Sequence, residues 1–214
     1  MRIPPSAITR LHLPFRASEC RCGSLRVGNQ ACVEVSRCLS PRSVLTPLSC
    51  QALLDAGATR VAILDIDYHH SNGTQEIFYS REDVLVVNLH GDPVFEYPFF
   101  LGHVDESGSG VEEGYNLNLP LAAGTTFEAW FAALEVACAR VVRYAPDAVV
   151  VSLGVPTFKN DPISHFRLDS EDYLRVGQRI AALGLKTLFL LEGGYAVEEI
   201  GVNAVNVLIG FDQR

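Results

Sequence analysis

From residue 51 onward the chain alternates short, unbroken apolar runs with segments of helical period. Residues 61–67, 84–89, 148–153 and 187–191 are apolar without polar alternation, the pattern of strands buried on both faces. Between them lie helix-like stretches. Residues 51–56 end a helix at Gly57, and 74–79 suggest a short one. Thr125-x-x-Glu128 has the spacing of a capping box. It opens a helix with an apolar stripe of Phe127, Trp130, Phe131, Leu134, Cys138, Val141 and Val142, halted by Pro146-Asp147. Asp169 or Ser170 can cap a helix reaching Leu183 and stopping at Gly184. A last helix is expected over about 197–209. Residues 91–124 show little periodicity and are expected to be a long loop region. Buried strands alternating with helices predict an α/β fold with a mainly parallel sheet covered on both faces.

Residues 1–50 are written differently. They hold seven Arg, no Lys and two acids, a balance of +5, which leaves −13 for residues 51–214 of a chain at −8 overall. Five of the six Cys and seven Ser fall there, and five Pro interrupt any periodicity. Cys20, Cys22, Cys32 and Cys38 lack the paired spacing of a zinc site, with no His among them. A disulfide scaffold fits poorly with a cytosolic chain. The Arg- and Ser-rich, acid-poor text is loosely like a transit peptide. The plain expectation is a poorly ordered leader over 1–50, followed by one domain over 51–214. The negative balance argues against direct nucleic-acid or membrane-surface binding. No apolar run reaches the roughly 18–20 residues that cross a bilayer, and the start lacks a signal peptide's apolar segment. A cytoplasmic protein is therefore expected, of an oligomeric state the sequence does not specify.

Chemistry concentrates where the strands end. Asp65, Asp67 and His69 share one face of Asp65-Ile66-Asp67-Tyr68-His69-His70. Two carboxylates and an imidazole at the carboxyl end of a buried strand are suited to a divalent metal, and the imidazole favours zinc or another first-row ion over calcium. The other strand ends read Asn88-Leu89-His90, Gly154-Val155-Pro156 and Glu192-Gly193-Gly194-Tyr195. Sites of open α/β sheets form at such ends.

Several blocks carry a family resemblance: Asp65-Ile66-Asp67-Tyr68-His69-His70-Ser71-Asn72-Gly73-Thr74, Asn88-Leu89-His90-Gly91-Asp92-Pro93, Tyr97-Pro98-Phe99-Phe100-Leu101-Gly102, Val151-Ser152-Leu153-Gly154-Val155, Asp161-Pro162-Ile163-Ser164 and Leu191-Glu192-Gly193-Gly194-Tyr195. From about Gln51 to the end, in family order and spacing, the chain resembles the histone deacetylase and acetylpolyamine amidohydrolase family, in wording nearer the acetylpolyamine branch. The resemblance implies an arginase-like three-layer α/β fold, truncated on its N-terminal side. It also implies zinc-dependent hydrolysis of an N-acetyl amide, with acetyl-lysine or an acetylated polyamine as the substrate. By that resemblance Asp67 and His69 match the first two zinc ligands and Tyr195 the oxyanion-stabilising tyrosine. Asp65 matches a structural monovalent-cation site, usually potassium, or otherwise orients the ligands. Phe100 matches a wall of the substrate tunnel, and Gly193 and Gly194 let the backbone approach the substrate.

The departures are specific. The family's third ligand is an aspartate after Gly-Val, and here that residue is Pro156, which has no donor to offer. Asp161 and His165 are candidates to swing in, each several residues along the loop. The family's paired histidines, expected upstream in a Pro-Gly-His-His context, are missing; residues 1–50 hold only His12. The abrupt change near Gln51 suggests that the preceding text is out of frame. An impaired copy, or a non-catalytic remnant that binds at most a metal or a partner, is the alternative to an active hydrolase.

Overall fold

The computed structural model describes residues 23–27, 31–35, 45–110 and 113–213, with side chains from Leu45 on. The helices are α1 (Leu45–Asp55), α2 (Asn72–Phe78), α3 (Phe127–Tyr144), α4 (Asp172–Ala181) and α5 (Ile200–Asp212). The strands are β1 (Gly23–Val27), β2 (Ala31–Val35), β3 (Val61–Asp65), β4 (Val84–Gly91), β5 (Asn116–Leu121), β6 (Ala148–Gly154) and β7 (Lys186–Glu192). They form one sheet in the order β1-β2-β7-β6-β3-β4-β5. Only the β1–β2 pair is antiparallel.

Every residue of β3, β4 and β6 is buried, which explains why their text is apolar without alternation. The alternation is between two cores instead. Ala62, Leu64, Leu85, Val87, Val149 and Val151 face α3, α4 and α5, against Trp130, Leu134, Tyr173 and Phe211. Val61, Ile63, Val84, Val86 and Val150 face the other way, onto Cys50 of α1 and Phe78 of α2. Helices cover both faces, giving the expected three-layer arrangement.

The strand and helix boundaries foreseen from residue 57 on are met to within a few residues, with local corrections. The capping box does not form: Thr126 is the N-cap of α3, and the Thr125 hydroxyl donates to the carbonyl of Ala122 at 2.6 Å. Val142 stands 58% exposed, so the apolar stripe turns instead through Ala137, Cys138, Val141 and Tyr144. Ala145, left-handed at φ 52°, ends the helix just before Pro146.

Three strands were not foreseen. β5 lies inside the stretch read as loop, because its buried positions are polar. Asn116 and Asn118 point inward while Leu117, Leu119 and Leu121 are only partly buried. Asn and Pro are weak strand formers, and Pro120 is tolerated because β5 is a sheet edge. β2 pairs in parallel with β7 and antiparallel with β1, both within residues read as lacking strand character. α1 also starts earlier than the boundary at residue 51, burying Thr46, Pro47 and Cys50. The rest of the expected leader, with Cys20, Cys22 and Cys38, lies outside the described residues. Cys50 and Cys138 are buried free thiols.

Candidate active site

The registers align the carboxyl ends: Asp65 pairs with Asn88 on one side and Ser152 on the other, and Gly154 pairs with Glu192. The chain leaves β3 in a tight turn held by its own carboxylates. The Asp67 amide donates to Asp65 Oδ1 at 3.0 Å, and the His69 amide donates to Asp67 Oδ1 at 2.9 Å. That turn brings Asp67 and His69 to one side, with His69 Nδ1 3.8 Å from Asp67 Oδ1.

Asp67 sits in a slot cut by two glycines. A methyl group on Gly154 would lie 1.9 Å from Asp67 Oδ2, and one on Gly193 would lie 2.5 Å from it. The same point on Gly193 is 3.2 Å from Pro156 Cγ, so the buried proline ring borders the slot. Gly193, at φ 66°, and Gly194, at φ 100°, adopt backbone that favours glycine. Gly154→Ala is therefore expected to push the Asp67 carboxylate out of place. In spectra of the carboxyl carbons, the Asp67 resonance should move while the fold is retained.

The electrostatics suit a bound cation. Burial, then the neighbouring Asp65 charge, pushes the Asp67 carboxyl up to about 8, against the His69 amide bond; Glu192 and Asp161 add to the rise. Burial raises Asp65 to about 6, opposed by hydrogen bonds from the Asp67 backbone, Ser71 and Ser152. Burial lowers His69, keeping its imidazole in the neutral form that can ligate.

The two residues considered as substitute ligands are both occupied. Asp161 accepts the amides of Tyr195 (2.7 Å), Ala196 (3.2 Å) and Ile163 (3.1 Å). His165 Nδ1 lies 2.8 Å from Glu96 Oε1 and 3.1 Å from the Tyr68 hydroxyl. Among the described residues, no three His, Cys, Asp or Glu side chains gather as a metal-holding group. Asp67 and His69 offer two donors, one fewer than the three that catalytic zinc takes from protein. Tyr195, 40% exposed, follows the Gly193-Gly194 turn. Phe100 lies on an exposed loop at 68%, and the ring beside His69 is Tyr97, with centroids 6.3 Å apart.

A buried polar network was not read from sequence. His70 Nε2 lies 3.0 Å from Gln75 Oε1, which also accepts Asn116 and Asn118 at 2.9 Å each. Glu106 accepts from Gln75 at 2.6 Å and from the Gly102 amide at 2.9 Å. The His90 ring lies tilted against His70, with centroids 4.7 Å apart, and bonds to the Gly91 carbonyl, which makes Nδ1 the protonated nitrogen. The inward polar alternation of β5 was the available signal. Burial lowers His90 to about 4, with His70 adding to the shift. A folded-state value below the ordinary 6.5 stabilises the fold above that pH and loses the contribution as pH falls towards 4. The stability gap between the parent and His90→Gln should shrink between pH 7 and pH 5, measured by urea denaturation. Comparing the two proteins cancels the opposite slope of Asp65 and Asp67.

Comparison with known proteins agrees with this geometry. Residues 47–210 match the histone deacetylase domain. Acetylpolyamine amidohydrolase 1 of Pseudomonas aeruginosa is 65% identical over 165 residues, covering 77% of this chain and 48% of the relative. Acetylpolyamine amidohydrolase of Mycoplana ramosa is 50% identical over 163 residues, covering 76% and 48%. The crystal structure of acetylpolyamine aminohydrolase from Burkholderia pseudomallei superposes with a TM-score of 0.80 at 38% identity, covering 85% of this chain and 56% of that one. A histone deacetylase homologue complexed with SAHA gives 0.72 at 29% identity, covering 77% and 44%. This chain thus spans about half the length of the curated relatives it matches. The Asp67–His69 strand end, the Gly193-Gly194-Tyr195 turn and these matches together place the chain in the histone deacetylase and acetylpolyamine amidohydrolase family.

Proposed function

We propose that this chain derives from a zinc-dependent hydrolase of N-acetyl amides, acting on acetylated polyamines or acetyl-lysine, and that turnover by the chain itself is impaired. The observation that carries the reading is Asp67 in its two-glycine slot beside His69, with Tyr195 on the adjoining turn and Pro156 at the slot's edge. Zinc would supply Lewis-acid polarisation and an acidified water. Asp67 and His69 would supply two of its ligands, Asp65 a monovalent-cation site, usually filled by potassium, and Tyr195 a hydrogen bond to the developing oxyanion. The polyamine branch is favoured by the names of the relatives above 40% identity. A cytoplasmic setting belongs to the same proposal.

A second reading, a non-catalytic remnant, is favoured by Pro156 and by the absence from this sequence of a histidine pair other than His69-His70. In a hydrolase of the family's kind such a pair would supply the general base. Zinc content by elemental analysis, with hydrolysis of a fluorogenic acetyl-lysine and an acetylpolyamine, separates the two. The expected result is substoichiometric zinc and hydrolysis at background. One equivalent of zinc with chelator-sensitive turnover would overturn the impairment and leave the family chemistry standing.

A further inference from the structure

We infer that Asp161 is a positioning residue for Tyr195: its carboxylate fixes the backbone from which the tyrosine hydroxyl is presented. The inference rests on Tyr195 having the role proposed above.

The adjacent β6 and β7 bring two loops side by side, one following Gly154 and one following Glu192. Asp161, in the first loop, is 5% exposed and spends both carboxylate oxygens on backbone amides. Oδ2 accepts from the consecutive amides of Tyr195 and Ala196 in the second loop. Oδ1 accepts from Ile163 in its own loop, and the Asp161 amide donates to the Phe158 carbonyl at 2.9 Å. The carboxylate therefore bridges two loops that the sheet alone only makes neighbours.

The bridge falls directly after two consecutive glycines. Gly193 and Gly194 precede Tyr195 with φ of 66° and 100°, and glycines confer freedom without direction. A direction must come from outside the turn, and the Tyr195 and Ala196 amides are the first groups after it to be gripped. Asparagine would fill the same volume but offers one acceptor oxygen, turning N–H groups toward a donor. A carboxylate is what three amides in this geometry require. Amide bonds to an ionised acceptor are also the stronger kind.

Asp161 is no free ligand-in-waiting, then, although its position in the loop suggested one. Its charge also reaches the metal-facing pair, adding to the rise of Asp67 and opposing the fall of His69. One buried carboxylate thus serves both halves of the site.

The test is fluorine NMR of the full chain labelled with 3-fluorotyrosine, which gives seven tyrosine lines. Tyr195→Phe identifies the Tyr195 line. In Asp161→Ala and in Asp161→Asn, that line is expected to shift by more than its width or broaden, while five of the others hold their positions; Tyr173, which also feels the Asp161 charge, is left out of the comparison. A Tyr195 line unmoved in either folded variant would overturn the inference. So would a common shift of all seven lines, or loss of the folded spectrum in both variants, because Asp161 would then be a general structural residue. If Asp161→Ala alone fails to fold, Asp161→Asn decides. The measurement needs neither zinc nor turnover, so an unmoved line leaves the hydrolase reading intact, and a failed hydrolysis assay leaves this one intact.

Discussion

Pro156→Asp is expected to tighten zinc binding by about 100-fold or more, to one equivalent per chain, because it supplies the third protein donor a catalytic zinc takes. The site is prepared for it. The proline ring already borders the slot that holds the Asp67 carboxylate, and Gly154 and Gly193 leave that slot open. Without metal the new carboxylate is a liability. It adds a charge beside Asp67 and Asp65, both already raised by burial, so the metal-free variant should unfold at lower urea than the parent. Zinc should then restore more than was lost, since a ligand that binds only the folded chain stabilises it by mass action. The pH dependence follows from Asp67. With its carboxyl already near 8 in the metal-free parent and raised further by the new charge, binding must displace a proton, so affinity should rise with pH through the neutral range. Isothermal titration in two buffers of different ionisation enthalpy measures both affinity and proton release. Hydrolysis should stay at background, because no upstream histidine pair is restored. Equal zinc affinity in parent and variant would sink the account of Pro156.

Gly177→Ala and Gly210→Ala are each expected to destabilise the fold by about 3 kcal/mol, at the upper end of overpacking costs. The two glycines mark the crossing of α4 and α5. A methyl on Gly177 would stand 1.9 Å from the Val207 carbonyl oxygen, and one on Gly210 would stand 2.0 Å from that of Leu174. Both obstacles are backbone, so no side chain can turn aside and the helices must part. The cost is transmitted inward, since Val176, Ile180, Val207 and Phe211 all belong to the core under the sheet. Thermal unfolding should fall by roughly 6–12 °C for a chain of this size. Gly201, with open space around the corresponding point, is the control and should tolerate Ala. A loss under about 1 kcal/mol at both crossing positions would show the helices to be looser than their contact suggests.

What could be read from the residues alone was what local pattern and short spacing carry. Unalternating apolar runs gave the buried parallel strands, because a strand covered on both faces has no polar side to show. Asp65, Asp67 and His69 were legible as a site from their types and alternate spacing, although β3 ends at Asp65 and the turn after it, not a continued strand, brings Asp67 and His69 together. Pro156 was legible as a departure because a ligand position is defined by chemistry, and proline has none to offer. β5 was illegible, since its inward side is polar and its partners, Gln75 and Glu106, come from elsewhere in the chain.

Tertiary structure decided the rest. The slot around Asp67 needs three strand ends in register, and no window of sequence contains the approach of Gly154 and Gly193 to the same oxygen. The occupation of Asp161 by Tyr195, 34 residues away, turns a candidate ligand into an anchor. The strong rise of Asp67 comes from burial and from carboxylates gathered by the fold. Residue types and their period are local properties and survive in the linear text; the desolvation and company of a carboxylate are properties of a packed volume, and only folding creates them.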